Sequence, residues 1–190
     1  NEALGHEAKF RNARVSYFGG DFNWAQNQLN ALKASTSKLI SNDAIELSLL
    51  ITDNFNLDTL TEPMEMFARA DLLRMQRQFD DARATLDSLG EAHPGHALED
   101  ESMMMSADMF LEQGRLDTAM AIYREVVDLH FDDITGDDAL FQLAHLTHHT
   151  LLDPETALGL YEQLLFDFPG SLYAVESRKR FRELRGDQLE

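Results

Sequence analysis

A phrase that comes back four times, always at the junction of two helices, is the feature that most limits what this chain can fold into. In Gln113-Gly114-Arg115-Leu116-Asp117-Thr118-Ala119-Met120-Ala121-Ile122-Tyr123, one helix ends at a glycine and a second opens on a small residue with an aromatic four places later. Residues four apart share a helical face, so a neighbouring helix can approach at Ala119 and be covered by Tyr123. Gly20-Asp21-Phe22-Asn23-Trp24-Ala25 with Leu29, Phe79-Asp80-Asp81-Ala82 with Leu86, and Asp153-Pro154-Glu155-Thr156-Ala157 with Tyr161 align with it on their alanines. The spacings between those alanines are 57, 37 and 38. Two of them sit slightly above a helical-hairpin period of about 34 residues, and the first exceeds that period by about 23. Such self-similarity marks stacked hairpins, since one hairpin cannot bury its apolar face alone.

The residues that precede each turn extend the pattern. Ala13 with Ser16, Ala70 with Leu73, Ala107 with Phe110 and Ala144 with Thr147 occupy the first helices, and Pro94 and Pro169 each close a unit twelve residues after its second-helix alanine. Together these residues resemble the tetratricopeptide repeat. Ser37 and Phe131 stand where that pattern has Pro, and Ser16 and Thr147 where it has an aromatic. The resemblance implies an all-α, right-handed superhelical α-solenoid of about four hairpins in a single domain over residues 1–190. Repeat 1 runs over about 2–37, repeat 2 over 61–94, repeat 3 over 97–131 and repeat 4 over 137–169, followed by a capping helix over 171–185. The last repeat, through Tyr161 and Phe168-Pro169-Gly170-Ser171-Leu172-Tyr173-Ala174, is similar to repeats of bacterial cell-envelope proteins. That likeness suggests a bacterial source and leaves cytoplasm and periplasm equally open.

Residues 38–60 fall outside the pattern. Asn42 is placed to cap a helix whose Ile45, Leu49 and Leu50 form an apolar stripe, so the inserted helix is expected to be buried by that stripe. The turn-rich run Asp53 to Asp58 ends it, and Thr61-Glu62-Pro63 opens the next helix with an N-cap and an early proline. An insertion here is expected to bend or wedge the array. In the last helix, Val175, Arg178, Lys179, Arg180 and Arg182 give a polar outer face suited to a terminal cap, with the cations near the negative end of the helix dipole.

In the family resembled, ligands meet fixed positions on the first helices. Carried onto this chain, the fifth position is Phe10, Phe67, Met104 and Phe141; the ninth is Arg14, Asp71, Asp108 and His145; the twelfth includes Tyr17, Arg74 and His148. The resemblance therefore implies a concave groove with apolar anchors and an acidic middle. Its partner is expected to be a protein segment carrying apolar side chains and Lys or Arg. Within Met103-Met104-Met105, Met103 is expected in the core and Met104 on the groove side.

Charge narrows the alternatives. The net charge of −18 would repel phosphate backbones and anionic lipid surfaces, so nucleic acid and membrane partners are disfavoured. Cysteine is absent, which removes disulfides, thiolate nucleophiles and Cys-based zinc sites. No apolar run nears the roughly 18 residues of a spanning helix. The chain starts at Asn1 without a signal-like segment and reads as a piece of a longer protein. His145, His148 and His149 at i, i+3 and i+4 could place imidazoles together, with Asp153 or Glu155 nearby, which leaves a weak metal site as an alternative. No P-loop, nucleophile elbow or dinucleotide fingerprint occurs, so no enzymatic activity and no cofactor are expected. A structural spacer that self-associates through its basic last helix is a further alternative.

Overall fold

The computed structural model describes residues 2–33, 38–55, 60–131 and 135–187. Ten helices are described and no strand lies among the described residues: α1 (Glu2–Phe18), α2 (Phe22–Lys33), α3 (Lys38–Asn54), α4 (Glu62–Met75), α5 (Phe79–Ala92), α6 (Glu99–Glu112), α7 (Leu116–Leu129), α8 (Thr135–His149), α9 (Pro154–Asp167) and α10 (Ala174–Arg185). This is the expected all-α helical-repeat architecture, with hairpins α1–α2, α4–α5, α6–α7 and α8–α9. Ser37, Asn56, Leu57 and Asp58 lie outside the described residues. The chain divides into two compact units, Asn1–Glu99 and Asp100–Glu190.

All four hairpins are made the same way. The first-helix alanines Ala13, Ala70, Ala107 and Ala144 and the second-helix alanines Ala25, Ala82, Ala119 and Ala157 are all buried to 0% exposure. A methyl is the largest group these contact points accept, so the two backbones of each hairpin come close and the larger side chains interlock around them. Each turn passes through one left-handed residue: Gly20 (φ 78), Arg77 (φ 61), Gly114 (φ 74) and Leu152 (φ 56). In the first three, the following amide donates back to a first-helix carbonyl, Asp21 N to Ser16 O, Gln78 N to Leu73 O and Arg115 N to Phe110 O, each at 2.9 Å. That is the Schellman closure, which satisfies carbonyls that a helix end leaves open. The fourth turn has one more residue, and the closing bond runs from Asp153 N to Thr147 O at 3.1 Å. Asp21 and Asp153 then cap their second helices, accepting from Trp24 N and Thr156 N at 3.1 Å each. At the matching positions Gln78 and Arg115 make no side-chain capping bond.

In the first unit, α1 packs against α2, α3 and α4, and α4 against α5. The inserted helix α3 lies along α2 rather than behaving as expected. Asn42 falls inside α3, not at its N-cap, and Ile45 and Leu49 are 38% and 45% exposed. The buried face is instead Ala44, Ser48 and Ile51, because α3 meets α2 through a polar seam: the Gln26 amide donates to Ser48 Oγ at 2.7 Å and to Thr52 Oγ1 at 3.1 Å. Phe22 and Phe55 close the seam, rings 4.9 Å apart. Trp24, two residues on from Phe22 in α2, is 57% exposed. Thr61 holds the N-cap position of α4 but forms no side-chain capping bond there.

The second unit has a core of Tyr123, Val126, Leu140, Leu143 and Leu164 around the hairpin alanines, continued by Ala144, Ala157 and Tyr161 toward α10. Within Met103-Met104-Met105 it is Met105, not Met103, that is buried, together with Met109 one turn on; Met103 and Met104 are half-buried against the same core. Phe131, at the place of a closing proline, packs on Phe168 with rings 4.8 Å apart. A Cβ on Gly136 would lie 2.8 Å from the Phe131 carbonyl oxygen and 3.0 Å from that of His130, so α8 starts hard against the end of the preceding turn. α10 begins at Ala174, three residues later than the expected 171, because the Ser171 Oγ and carbonyl accept from Tyr173 N and Ala174 N and shape a turn first.

Two substitutions probe these turns. Leu152 is 75% exposed, so Leu152→Gly loses little packing and relieves a left-handed backbone. Urea unfolding is expected to show a gain of roughly 0.5–1 kcal/mol. Gly136→Ala should instead cost about 1–3 kcal/mol, since backbone oxygens rather than flexible side chains oppose the new methyl.

Candidate functional site

The first-helix positions separate into two groups, one in each unit. In the first unit, Phe67, Asp71 and Arg74 share one face of α4, and that face is turned toward Arg14 and Tyr17 of α1. Two of the expected groove residues are core here. Tyr17 is 0% and Phe67 3% exposed, because α1 lies alongside α4 and covers the position. Phe10, Arg14, Asp71 and Arg74 are half-buried at the rim of the same seam. The Arg14 guanidinium lies over the Phe18 ring, 5.2 Å from its centroid.

The electrostatics of this seam are unbalanced. Burial pushes the Asp71 carboxyl above its ordinary range, and Arg14 and Arg74 only partly oppose it. Burial likewise raises the Tyr17 hydroxyl, with the Asp71 charge adding to the effect and Arg14 opposing it. The Tyr17 Oη is buried without a hydrogen-bond partner among the described residues. An ionised carboxylate held at a cost beside an unsatisfied hydroxyl is the kind of arrangement that functional sites retain.

The second unit treats the corresponding aspartate differently. Asp108 accepts a 2.5 Å hydrogen bond from Tyr123 Oη, which braces α6 against α7. Met104 is half-buried beside it. On α8, Phe141 stacks on Tyr173 at 4.2 Å and 12° and lies 6.0 Å from the His145 ring. His145 is exposed and His148 half-buried.

The histidines do not converge on a centre. His148 and His149 stack face to face at 4.1 Å and 21°, and His145 lies 4.5 Å from His149. Among the described residues no group of three or more His, Asp or Glu side chains is disposed to hold a metal ion, which removes the structural support for the metal alternative.

What the histidines face is α10. Arg180 bridges Glu176 at 2.7 Å and Glu183 at 3.1 Å. Burial, His149 and Arg180 all lower the His145 and His148 pKa values, with Glu176 opposing for His145 and Glu183 for His148. Burial pushes the Tyr161 hydroxyl up to about 12. His148 Nδ1, Tyr161 Oη, Ser177 Oγ and Arg180 Nε are buried without hydrogen-bond partners. This polar seam involves Tyr161, Ser177 and Arg180, none of which stood out as a site residue. The available signal was Ser177, a hydroxyl in helical phase with Ala174, Phe181 and Leu184.

Residues 66–96 and 101–130 match the family model described as tetratricopeptide repeat. The two segments correspond to α4–α5 and α6–α7. No curated protein sequence shows significant similarity to the chain. No described helix is long and apolar enough to cross a membrane.

The α8–α10 seam sets a sign for pH dependence. His145 and His148 have folded-state pKa values below the ordinary 6.5, so the unfolded chain takes up protons first and stability falls as pH drops through about 6.5. Thermal melts at matched pH are expected to show the wild type losing stability relative to His148→Gln as pH falls from about 7.5 to about 5.5. A constant gap over that window would remove the histidine contribution.

Proposed function

We propose that the tetratricopeptide repeats of this chain hold a segment of another protein against the exposed rims of their first helices. Repeats of this kind generally mediate protein–protein interaction and generally act as scaffolds rather than enzymes. The observation that carries the finer reading is the α1–α4 rim. There Arg14, Asp71 and Arg74 interact beside a buried, unsatisfied Tyr17 hydroxyl, and Phe10 lies one turn before Arg14 on α1. Met104 and Phe141 offer apolar anchors on the corresponding helices of the second unit.

Each of these side chains is mounted on a helix fixed by the alanine contacts, so binding costs little ordering on this side. The partner is a segment with apolar anchors and Lys or Arg. A cation brought to Asp71 would stabilise the ionised carboxylate that burial now penalises, and the net charge of −18 steers such a segment inward. The hairpins of each unit serve as its repeats in this reading, and α3 packs against α2 and α1 of the first.

The test is affinity capture from a lysate of the source organism, followed by titration of the captured segment. Asp71→Asn, with its helical content verified, is expected to weaken binding about tenfold, in line with loss of a charge-assisted contact. Phe10→Ala should weaken it further. An acidic captured segment, or one whose affinity neither substitution changes, would make the reading wrong.

A further inference from the structure

The outward face of α10 is chemically unlike the rest of the chain. The helix carries five cations, Arg178, Lys179, Arg180, Arg182 and Arg185, against Glu176 and Glu183. Its net +3 leaves −21 on the remaining residues of a chain whose total is −18. Two of the cations are engaged locally: Arg180 with Glu176 and Glu183, and Arg185 with Asp187 at 2.6 Å. Arg178, Lys179 and Arg182 are exposed.

Those three share their face with apolar groups. Val175, Arg178, Lys179 and Arg182 follow helical spacing on one side, opposite Ala174, Ser177, Phe181 and Leu184, which meet the body of the second unit. Val175 is 76% and the preceding Leu172 94% exposed. A helix with an apolar end and a cationic outer row is suited to a surface rich in carboxylates.

We propose that this face is a self-association surface, and that its occupant is the acidic surface of a second copy of this chain. The charge pattern selects the occupant, because any second copy presents 34 acidic against 16 basic side chains. Repulsion between two chains of like net charge acts over distance and is screened beyond about 8 Å at physiological salt. Attraction between α10 and facing carboxylates acts at contact and survives that screening. The surface uses none of the first-helix residues, so it stands or falls separately from capture of a partner segment.

Sedimentation velocity over a wide concentration range tests the assignment. One variant carries Arg178→Gln, Lys179→Gln and Arg182→Gln. A control carries Lys9→Gln, Arg69→Gln and Arg124→Gln, which remove equally exposed cations elsewhere. Both reach the same net charge of −21, three cations having been removed from −18, so a difference between them reports place rather than total charge. The wild type is expected to dimerise in a concentration-dependent way at about 150 mM salt, where the long-range repulsion is screened, and to dissociate toward about 1 M, where a Debye length of about 3 Å screens the contact pairs as well. The α10 variant should raise the dimer dissociation constant at least about tenfold, or about 1.4 kcal/mol, and the control should change it less than about threefold. Leu172→Ser with Val175→Ser should weaken the dimer while leaving its salt dependence intact. A wild type that stays monomeric throughout, or equal losses in the two triple variants, would overturn the proposal.

Discussion

Eight methyl groups set the geometry of this molecule. In each hairpin, one alanine on either side of the turn is wholly buried, and the close approach this permits determines where every larger side chain goes. The turn enforces the same spacing from the other direction. In the first three hairpins the left-handed residue comes seven places after the first alanine and five before the second; in the fourth the first interval is eight. Replacing any of these alanines with a larger residue would force two backbones apart, and interiors packed at crystal-like density cannot absorb that locally.

With the hairpins so fixed, the α1–α4 and α8–α10 seams are two places where the fold is not optimised for stability. Asp71 is held partly out of water beside two arginines that do not fully compensate it. On α8 and α10, three histidines and Arg180 share a seam in which several polar atoms lack partners. Each unsatisfied buried group costs on the order of 1–3 kcal/mol. Residues that only had to fill space could have been apolar there. The cost falls on α1 and α4 in the first unit and on α8 and α10 in the second, while the alanines inside each hairpin are wholly buried.

Much of the fold was legible because it rests on spacing. The turns fall between the paired alanines that align the four hairpins, and the turn glycines at Gly20 and Gly114 sit where a left-handed backbone is required. Turns at Arg77 and Leu152 adopt the same conformation without glycine, carried by the hairpins on either side. The face of α3 was not legible. Its apolar residues Ile45 and Leu49 suggested one buried side, whereas hydrogen bonds from Gln26 favoured the side bearing Ala44 and Ser48. Family positions pointed to Arg14, Tyr17, Asp71 and Arg74, whose charges act on one another along the α1–α4 seam. They did not reveal that α1 would cover Tyr17 and Phe67, because burial there depends on which helix lies alongside α4 and not on α4 itself. The α10 seam was hidden for a related reason: Tyr161 and Arg180 acquire their character from each other across helices.

The exposed Trp24 ring has an optical consequence. It is the chain's sole tryptophan, it belongs to the first unit, and more than half of its surface already meets water. Its emission in the native protein is therefore that of a largely solvated indole, and unfolding will shift it little. The second unit contributes only tyrosine and phenylalanine to the spectrum. Intrinsic fluorescence excited at the red edge is blind to half of the molecule, whereas Tyr123 and Tyr161, both buried in the second unit, make near-ultraviolet tyrosine signals its natural reporter.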